Sequence, residues 1–263
     1  MGILNVTPDS FSDGGKNLDP GAACARALQM LADGADSLDI GGESTRPGAT
    51  PVSAKDEIAR VVPVIKAIRA QSQAAISIDT MKPDVARAAF DAGADIWNDV
   101  TALRFAPESV QTAKELNAFV VLMHMQGEPQ TMQKAPSYPR GVTAEVLEFF
   151  AARMFAAQEA GIAHDKLIID PGIGFGKAIE HNLTLLADIE RLAELGPPVL
   201  IGASRKNFIS KIDDGAPVEQ RLGGSLAVSL WAASQGARII RVHDVRETAQ
   251  ALKVWSAIAT ADQ

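Results

Sequence analysis

IIDPGIGFGK, running from Ile168 to Lys177, is a β-branched pair, one carboxylate, a glycine-rich turn and a cation. With Leu167 before it, the apolar run has the length and character of a strand buried on both faces. Asp170 stands where that strand must stop. Pro171 fixes φ and lacks an N–H, and Gly172 tolerates positive φ. Gly174 and Gly176 have no Cβ, so a flat ligand can lie against the backbone there. The plainer reading of one such stretch is a solvated aspartate in an ordinary loop. What favours a functional reading is recurrence of the layout, strand then polar residue then loop, along the chain.

Five strand-like runs precede this one: residues 2–6, 37–40, Ala75–Asp79, 96–97 continuing to Asn98 and Asp99, and Phe119–Met123. Two follow it, at 199–203 and 239–242. Helical spacing fills the intervals. Ala25, Leu28, Leu31 and Ala35 share one face, and Ile58, Val61, Ile65 and Ile68 another. Residues 143–160 read as a long helix, and Leu183, Leu186, Ile189 and Leu192 as the face of the next. Asp244 caps a last helix with Leu252, Trp255 and Ile258 inward. Asp19 before Pro20 reads as an N-cap, as does Ser53 with Asp56. Alternation of this kind requires parallel strands joined by helical crossovers. Eight units over one chain match a (β/α)8 TIM barrel, one domain over residues 1–263. The alternative, a doubly wound open sheet, wants a G-x-G-x-x-G first turn, and the first turn here is Asn5-Val6-Thr7-Pro8-Asp9-Ser10.

The chain has 263 residues, 47% hydrophobic and 22% charged, with a net charge of −7. A pI near 5.2 argues against a nucleic-acid or anionic-membrane surface, so an anionic ligand must be met by local cations or a metal ion. Cys24 is the one cysteine, which rules out an intrachain disulfide and suits a reducing, cytoplasmic setting. No apolar run reaches the length of a membrane span.

In a barrel the strand C-termini open onto one mouth. Read together, they bring Asn5, the 41–46 loop, Asp79, Asn98, His124, Asp170, Lys206, Arg241 and His243 to one place. Asp79, Asn98 and Asp170 suit a ligand with several N–H donors and ring nitrogens. Lys206 supplies a donor or a cation. Arg241 and His243 follow the eighth strand, where barrels often hold phosphate. Asn5 offers an amide oxygen suited to Mg²⁺. The strand ends alone therefore suggest a polar heterocycle joined to phosphate. His124 fits either the mouth or a packed position. His164 and His181 read as solvated, Trp97, Trp231 and Trp255 as packing, and Asp39 and Asp99 as wall or local pairing. A zinc hydrolase barrel would want H-x-H where this chain has Leu4-Asn5-Val6. A Schiff-base aldolase using Lys206 leaves the carboxylates unexplained, and a non-enzymatic module that binds such a heterocycle is a third reading.

The motifs GILNVTPDSFSDGG, LDIGGESTRPGA, SIDT, WNDV, LMHMQGEPQTMQ, IIDPGIGFGK, GASRKNFI and IIRVHDV, in this order, resemble the dihydropteroate synthase family. The pterin barrels of methyltetrahydrofolate-dependent methyltransferases share the fold but not the SFSDGG and ESTRPGA loops. The resemblance implies condensation of (7,8-dihydropterin-6-yl)methyl diphosphate with p-aminobenzoate, giving 7,8-dihydropteroate. It implies that Asp170, Asn98, Asp79, Lys206 and Met123 hold the pterin, and that Thr45, Arg241 and His243 meet the diphosphate, with Asn5 on Mg²⁺. Phe11, Arg46, Pro47, Phe175 and Ser204 would form the p-aminobenzoate site. Asp79, Lys206 and Asp13 would be catalytic, Asp13 by steadying a pterin cation when its loop closes. It further implies sulfonamides as competitors and a homodimer. Relatives usually carry a leader before the first strand, whereas this chain starts almost inside it.

Overall fold

The computed structural model describes residues 1–7, 19–44, 50–127 and 131–261. Its first half runs β1 (Gly2–Asn5), α1 (Pro20–Ala32), β2 (Ser37–Gly41), α2 (Ala54–Arg69), β3 (Ala75–Asp79), α3 (Pro83–Asp91), β4 (Ile96–Asp99), α4 (Ser109–Glu115) and β5 (Phe119–Met123). The second half runs α5 (Val142–Glu159), β6 (Leu167–Asp170), α6 (Ile179–Ala187), α7 (Ile189–Ala193), β7 (Leu200–Ile201), α8 (Asn207–Ile212), α9 (Leu222–Ser234), β8 (Ile239–Ile240) and α10 (Val245–Ala259).

Strands β1 to β6 pair in sequence order, all parallel, and β7 pairs with β8. Two parallel bridges, Ile169 to Val199 and Gly2 to Val242, join the two sheets into a ring. The fold is the expected (β/α)8 barrel, whose closure leaves no strand edge unpaired. The seventh and eighth strands are shorter than the sequence suggests, because each carries only a short β-branched or leucine run before glycine or arginine.

Side chains alternate along each strand, so every second residue points inward. Leu38, Ile40, Ile76, Trp97, Leu122 and Ile169 face the helices and are fully buried. Ile96, Val121, Ile168 and Leu200 face inward and pack together as the barrel's apolar interior. The inward positions one step further along are Asn5, Gly41, Asp79, Asn98, Met123, Asp170, Gly202 and Arg241. Register aligns them, with Asn5 beside Gly41, Gly41 beside Asp79, Asp79 beside Asn98, and Met123 beside Asp170. The polar mouth thus follows from strand periodicity alone.

Two of the three expected side-chain caps form; Asp244 stands at the N-cap of α10 but makes no capping side-chain bond, because its carboxylate is taken by Arg205. Asp19 Oδ1 accepts from Gly21 N at 2.8 Å, and Ser53 Oγ accepts from Asp56 N at 3.1 Å. Several readings need correction. Ile258, expected inward, is 71% exposed near the end of α10, and Leu183 on α6 is 44% exposed. His181 is not simply solvated: its Nδ1 accepts from Ala178 N at 3.2 Å and its ring meets Tyr138 edge-on at 4.8 Å. Trp231 is 49% exposed, with its indole N–H anchored on Leu186 O at 2.8 Å. Trp255 is only half-buried.

Candidate active site

A cavity of about 1000 Å³ opens at the mouth, and it is lined by every predicted site residue that falls among the described residues. Phe11, Asp13, Thr45, Arg46 and Pro47 lie outside the described residues.

One wall is acidic and centred on Arg241. Its Nε donates to Asp39 Oδ2 at 2.5 Å and its Nη2 to Asp79 Oδ2 at 2.7 Å. Asn98 Nδ2 donates to the same Asp39 oxygen at 3.1 Å. Burial pushes the Asp79 carboxyl up to about 7, against the pull of Arg241 and with the repulsion of Asp39. Burial opposes the charge of Arg241, but Asp39 and Asp79 outweigh it and hold the guanidinium firmly protonated.

Asp170 forms the opposite wall. Its Oδ1 accepts from Gly172 N at 2.7 Å, which fixes the carboxylate plane and leaves Oδ2 towards Gly202. Burial raises this carboxyl too, while the Gly172 amide, Arg241, Lys206 and Lys177 favour its charge. Lys177 closes the floor behind it. That amine is 3% exposed and donates to His124 Nδ1 at 2.9 Å and Phe175 O at 3.0 Å. Burial lowers Lys177 to about 7. Burial and the neighbouring ammonium lower His124 to about 3, and its ring sits edge-on to Phe149 at 4.9 Å. His124 is therefore a neutral packed ring, which settles its two readings.

Between these walls lies an apolar slot. Met123, Val100, Met125 and Met132 pack together, with Phe175 and Met81 against them. Lys206 Nζ lies 4.1 Å from the Phe175 ring centroid, a cation–π contact at the slot's edge. Beyond it, Ser204 Oγ is 3.1 Å from His243 Nδ1 and accepts from His243 N at 3.3 Å. Ser204 thus sits on the His243 side of the cavity. Arg205 adopts φ +59°, donates from its backbone N to Ser225 Oγ at 2.9 Å, and pairs its guanidinium with Asp244. That tie locks the β7 loop onto α9 and the start of α10.

Glu43 closes the second loop. Its Oε1 accepts from Val52 N at 2.7 Å and its Oε2 from Lys82 Nζ at 2.5 Å, while Lys82 also reaches Glu57 at 2.6 Å. Asp99 faces the helices. It accepts from Thr101 N at 2.7 Å and Leu103 N at 2.8 Å, a turn-closing role, and burial raises it to about 6.

The chain that builds this barrel mouth matches a known family over most of its length. Residues 1–243 match the pterin-binding enzymes. The dihydropteroate synthase of Escherichia coli strain K12 is 48% identical over all of this chain and 92% of its own length. The chain belongs to the dihydropteroate synthase family. Its barrel superposes on that of the Yersinia pestis dihydropteroate synthase, solved with a sulfonamide drug, with a TM-score of 0.93 at 44% identity. That match covers 98% of this chain and 93% of the other. The Xanthomonas albilineans dihydropteroate synthase, solved with 4-aminobenzoic acid, gives 0.92 at 51% identity, covering 98% and 92%.

Two wall-building residues lay beyond the sequence reading of the mouth. Lys177 was within reach, since it ends the IIDPGIGFGK run. Asp39 sits two residues before its strand ends, where only the inward–outward alternation distinguishes it from packing.

Proposed function

We propose that this chain performs the reaction its relatives are named for. It joins the methylene carbon of (7,8-dihydropterin-6-yl)methyl diphosphate to the amino nitrogen of p-aminobenzoate, giving 7,8-dihydropteroate and diphosphate. The observation that carries this reading is the convergence of Asp79, Asn98, Asp170 and Lys206 around the Met123–Phe175 slot of a single cavity. Asp170, with one oxygen committed to Gly172, accepts from the pterin amino group and its neighbouring ring N–H. Asp79 and Asn98 hold other ring edge atoms. Met123 packs on the pterin, and Lys206 donates to its polar edge. Phe175 and Ser204 border the p-aminobenzoate side, with Phe11, Arg46 and Pro47. Thr45, Arg241 and His243 face the diphosphate. Arg241 does so as a shared partner of Asp39 and Asp79, so its charge is partly neutralised before the ligand arrives.

A Mg²⁺ ion fits the donor set. Among the described residues no group of three or more His, Cys, Asp or Glu side chains is disposed to hold a metal. Asn5 places one exposed amide oxygen on the cavity wall, and Mg²⁺ characteristically takes few protein oxygens, with phosphate oxygens and water completing its shell. When bound, the ion neutralises charge on the leaving diphosphate.

The bond from methylene carbon to diphosphate oxygen breaks with its electron pair leaving on diphosphate. The electron-rich pterin stabilises the resulting cation. The neutral aniline nitrogen then bonds to carbon and releases its proton to solvent, so no strong general base is required. Loops 7–15 and 41–53 are proposed to exclude water until the bond has formed, since water would otherwise give the pterin alcohol. Asp13 is proposed to steady the cation from its loop. The cytoplasm is the proposed location. Among the described residues no helix is long and apolar enough to cross a membrane.

The test of these roles is substrate-resolved kinetics. Asp170→Asn should raise the Michaelis constant for the pterin diphosphate and lower turnover together, by about 10- to 100-fold in kcat/KM, the worth of a charge-assisted hydrogen bond. Sulfonamides should compete with p-aminobenzoate and not with the pterin. Wild-type kinetics in Asp170→Asn, or sulfonamide inhibition competitive with the pterin, would overturn the assignment.

A further inference from the structure

Asp39 is fully buried, faces inward from β2, and lies one layer beneath the cavity wall. We infer that it is a positioning residue for the pterin site, fixing both the Asn98 amide and the Arg241 guanidinium. This inference rests on the pterin reading of the cavity given above.

The geometry is a shared acceptor. Asp39 Oδ2 takes hydrogen bonds from Arg241 Nε at 2.5 Å and from Asn98 Nδ2 at 3.1 Å. An ionised carboxylate only accepts, so the nitrogen end of the Asn98 amide must face it. Turning that amide over would set Asn98 Oδ1 against Asp39 Oδ2, two acceptors buried in contact, at the cost of an unsatisfied polar group. Asp39 therefore decides which end of Asn98 is free. The side chain presents its carbonyl oxygen and one remaining N–H to the ligand in a fixed order. A neutral asparagine at position 39 could face either end of the amide and would lose this selection.

The same oxygen aims Arg241. With Nε held below, the guanidinium plane is set and Nη2 falls on Asp79 Oδ2 at 2.7 Å. One carboxylate thus orders three groups of the cavity wall (Asn98, Arg241 and, through Arg241, Asp79) without touching the ligand. Such preorganisation lowers the cost of ordering polar groups at the moment of binding.

The experiment is a double-mutant cycle read by calorimetric binding of 6-hydroxymethyl-7,8-dihydropterin to the full chain. Asp39→Asn and Asn98→Ala should each weaken binding by about tenfold. Their combination should be little worse than either alone, because both remove the same ordered amide. Asp39→Asn with Met123→Ala, whose side chain has no link to Asp39, should be additive. In turnover, Asp39→Asn should raise the pterin Michaelis constant and leave that of p-aminobenzoate unchanged. Additivity between positions 39 and 98, or unaltered pterin affinity in a folded Asp39→Asn, would overturn the inference. Failure of the wild type itself to bind the pterin would instead count against the proposed function. If Asp39→Asn does not fold, the wild type answers directly. The two Asn98 side-chain amide protons should give separate nitrogen-15-resolved signals, one slowed in exchange with water. Equally rapid exchange of both would contradict the assignment.

Discussion

Lys177 is a buried amine whose charge is costly where it sits. Its hydrogen bonds go to His124 and to backbone carbonyls, and burial lowers it to about 7. An unfolded chain returns it to roughly 10.4. Between those values the unfolded state binds more protons, so stability rises with pH across that window. Urea melts should therefore show the wild type gaining stability relative to Lys177→Met as pH climbs from about 7. A constant difference between the two proteins would contradict this. Asp79 gives binding a pH dependence of the same sense. Its carboxyl, raised to about 7, accepts from ring N–H groups with both oxygens and with charge-assisted strength once it is ionised. The pterin kcat/KM should rise with pH through about 7, and Asp79→Asn should remove that limb and lower the plateau. At this scale the sequence was most informative where a polar residue ended a strand, as at Asp79, Asn98 and Asp170. It was silent on Asp39, because a carboxylate inside an apolar strand reads equally as a local pair until its facing arginine is located across the barrel.

The element that shapes the site is the pair of loops after β5 and β6. Gly172 has φ +67°, and a Cβ there would lie 2.0 Å from His124 O. Gly176 has φ +63°, with a Cβ placed 2.4 Å from Gln126 O. The two loops interlock through backbone, and Tyr138 Oη donates to Gly176 O at 2.8 Å to hold them. Gly172→Ala should cost about 3 kcal/mol or more, since both the conformation and the space are closed to a side chain. Thermal unfolding checks this, and a melting temperature equal to wild type would contradict the interlock. These glycines were legible as turn formers, although their partner loop was not, because the contact spans residues far apart in sequence. The helix α9 was not legible at all. Leu222–Ser234 begins with a leucine and two glycines and is apolar or small on every side, so it offers no 3.6-residue stripe to read. Only the neighbouring elements reveal it: Arg205 N anchors on its Ser225, and Trp231 anchors on Leu186.

For the whole molecule, eight strands closing through the Ile169–Val199 and Gly2–Val242 bridges put every inward strand end at one opening. That is why the strand-terminal residues legible in the sequence line one cavity, with His124 the exception because its ring packs outward against Phe149. Val254 and Ile258 on α10 are 56% and 71% exposed, and Trp231 on α9, the helix packed against α10, is 49% exposed. The homodimer that the family resemblance implies would cover such apolar exposure on the barrel's outside. Sedimentation should give twice the 27.7 kDa chain mass, and Val254→Asp should shift it towards monomer with the cavity intact. A wild-type monomer at micromolar concentration would remove that proposal. The central claim is a coupled condensation at this mouth, and diphosphate release measures it most directly. With Mg²⁺ and the dihydropterin diphosphate, release should depend on p-aminobenzoate and match the dihydropteroate formed one for one. Folded protein that releases no diphosphate with both substrates present, or releases it equally without p-aminobenzoate and forms no dihydropteroate, would contradict the account.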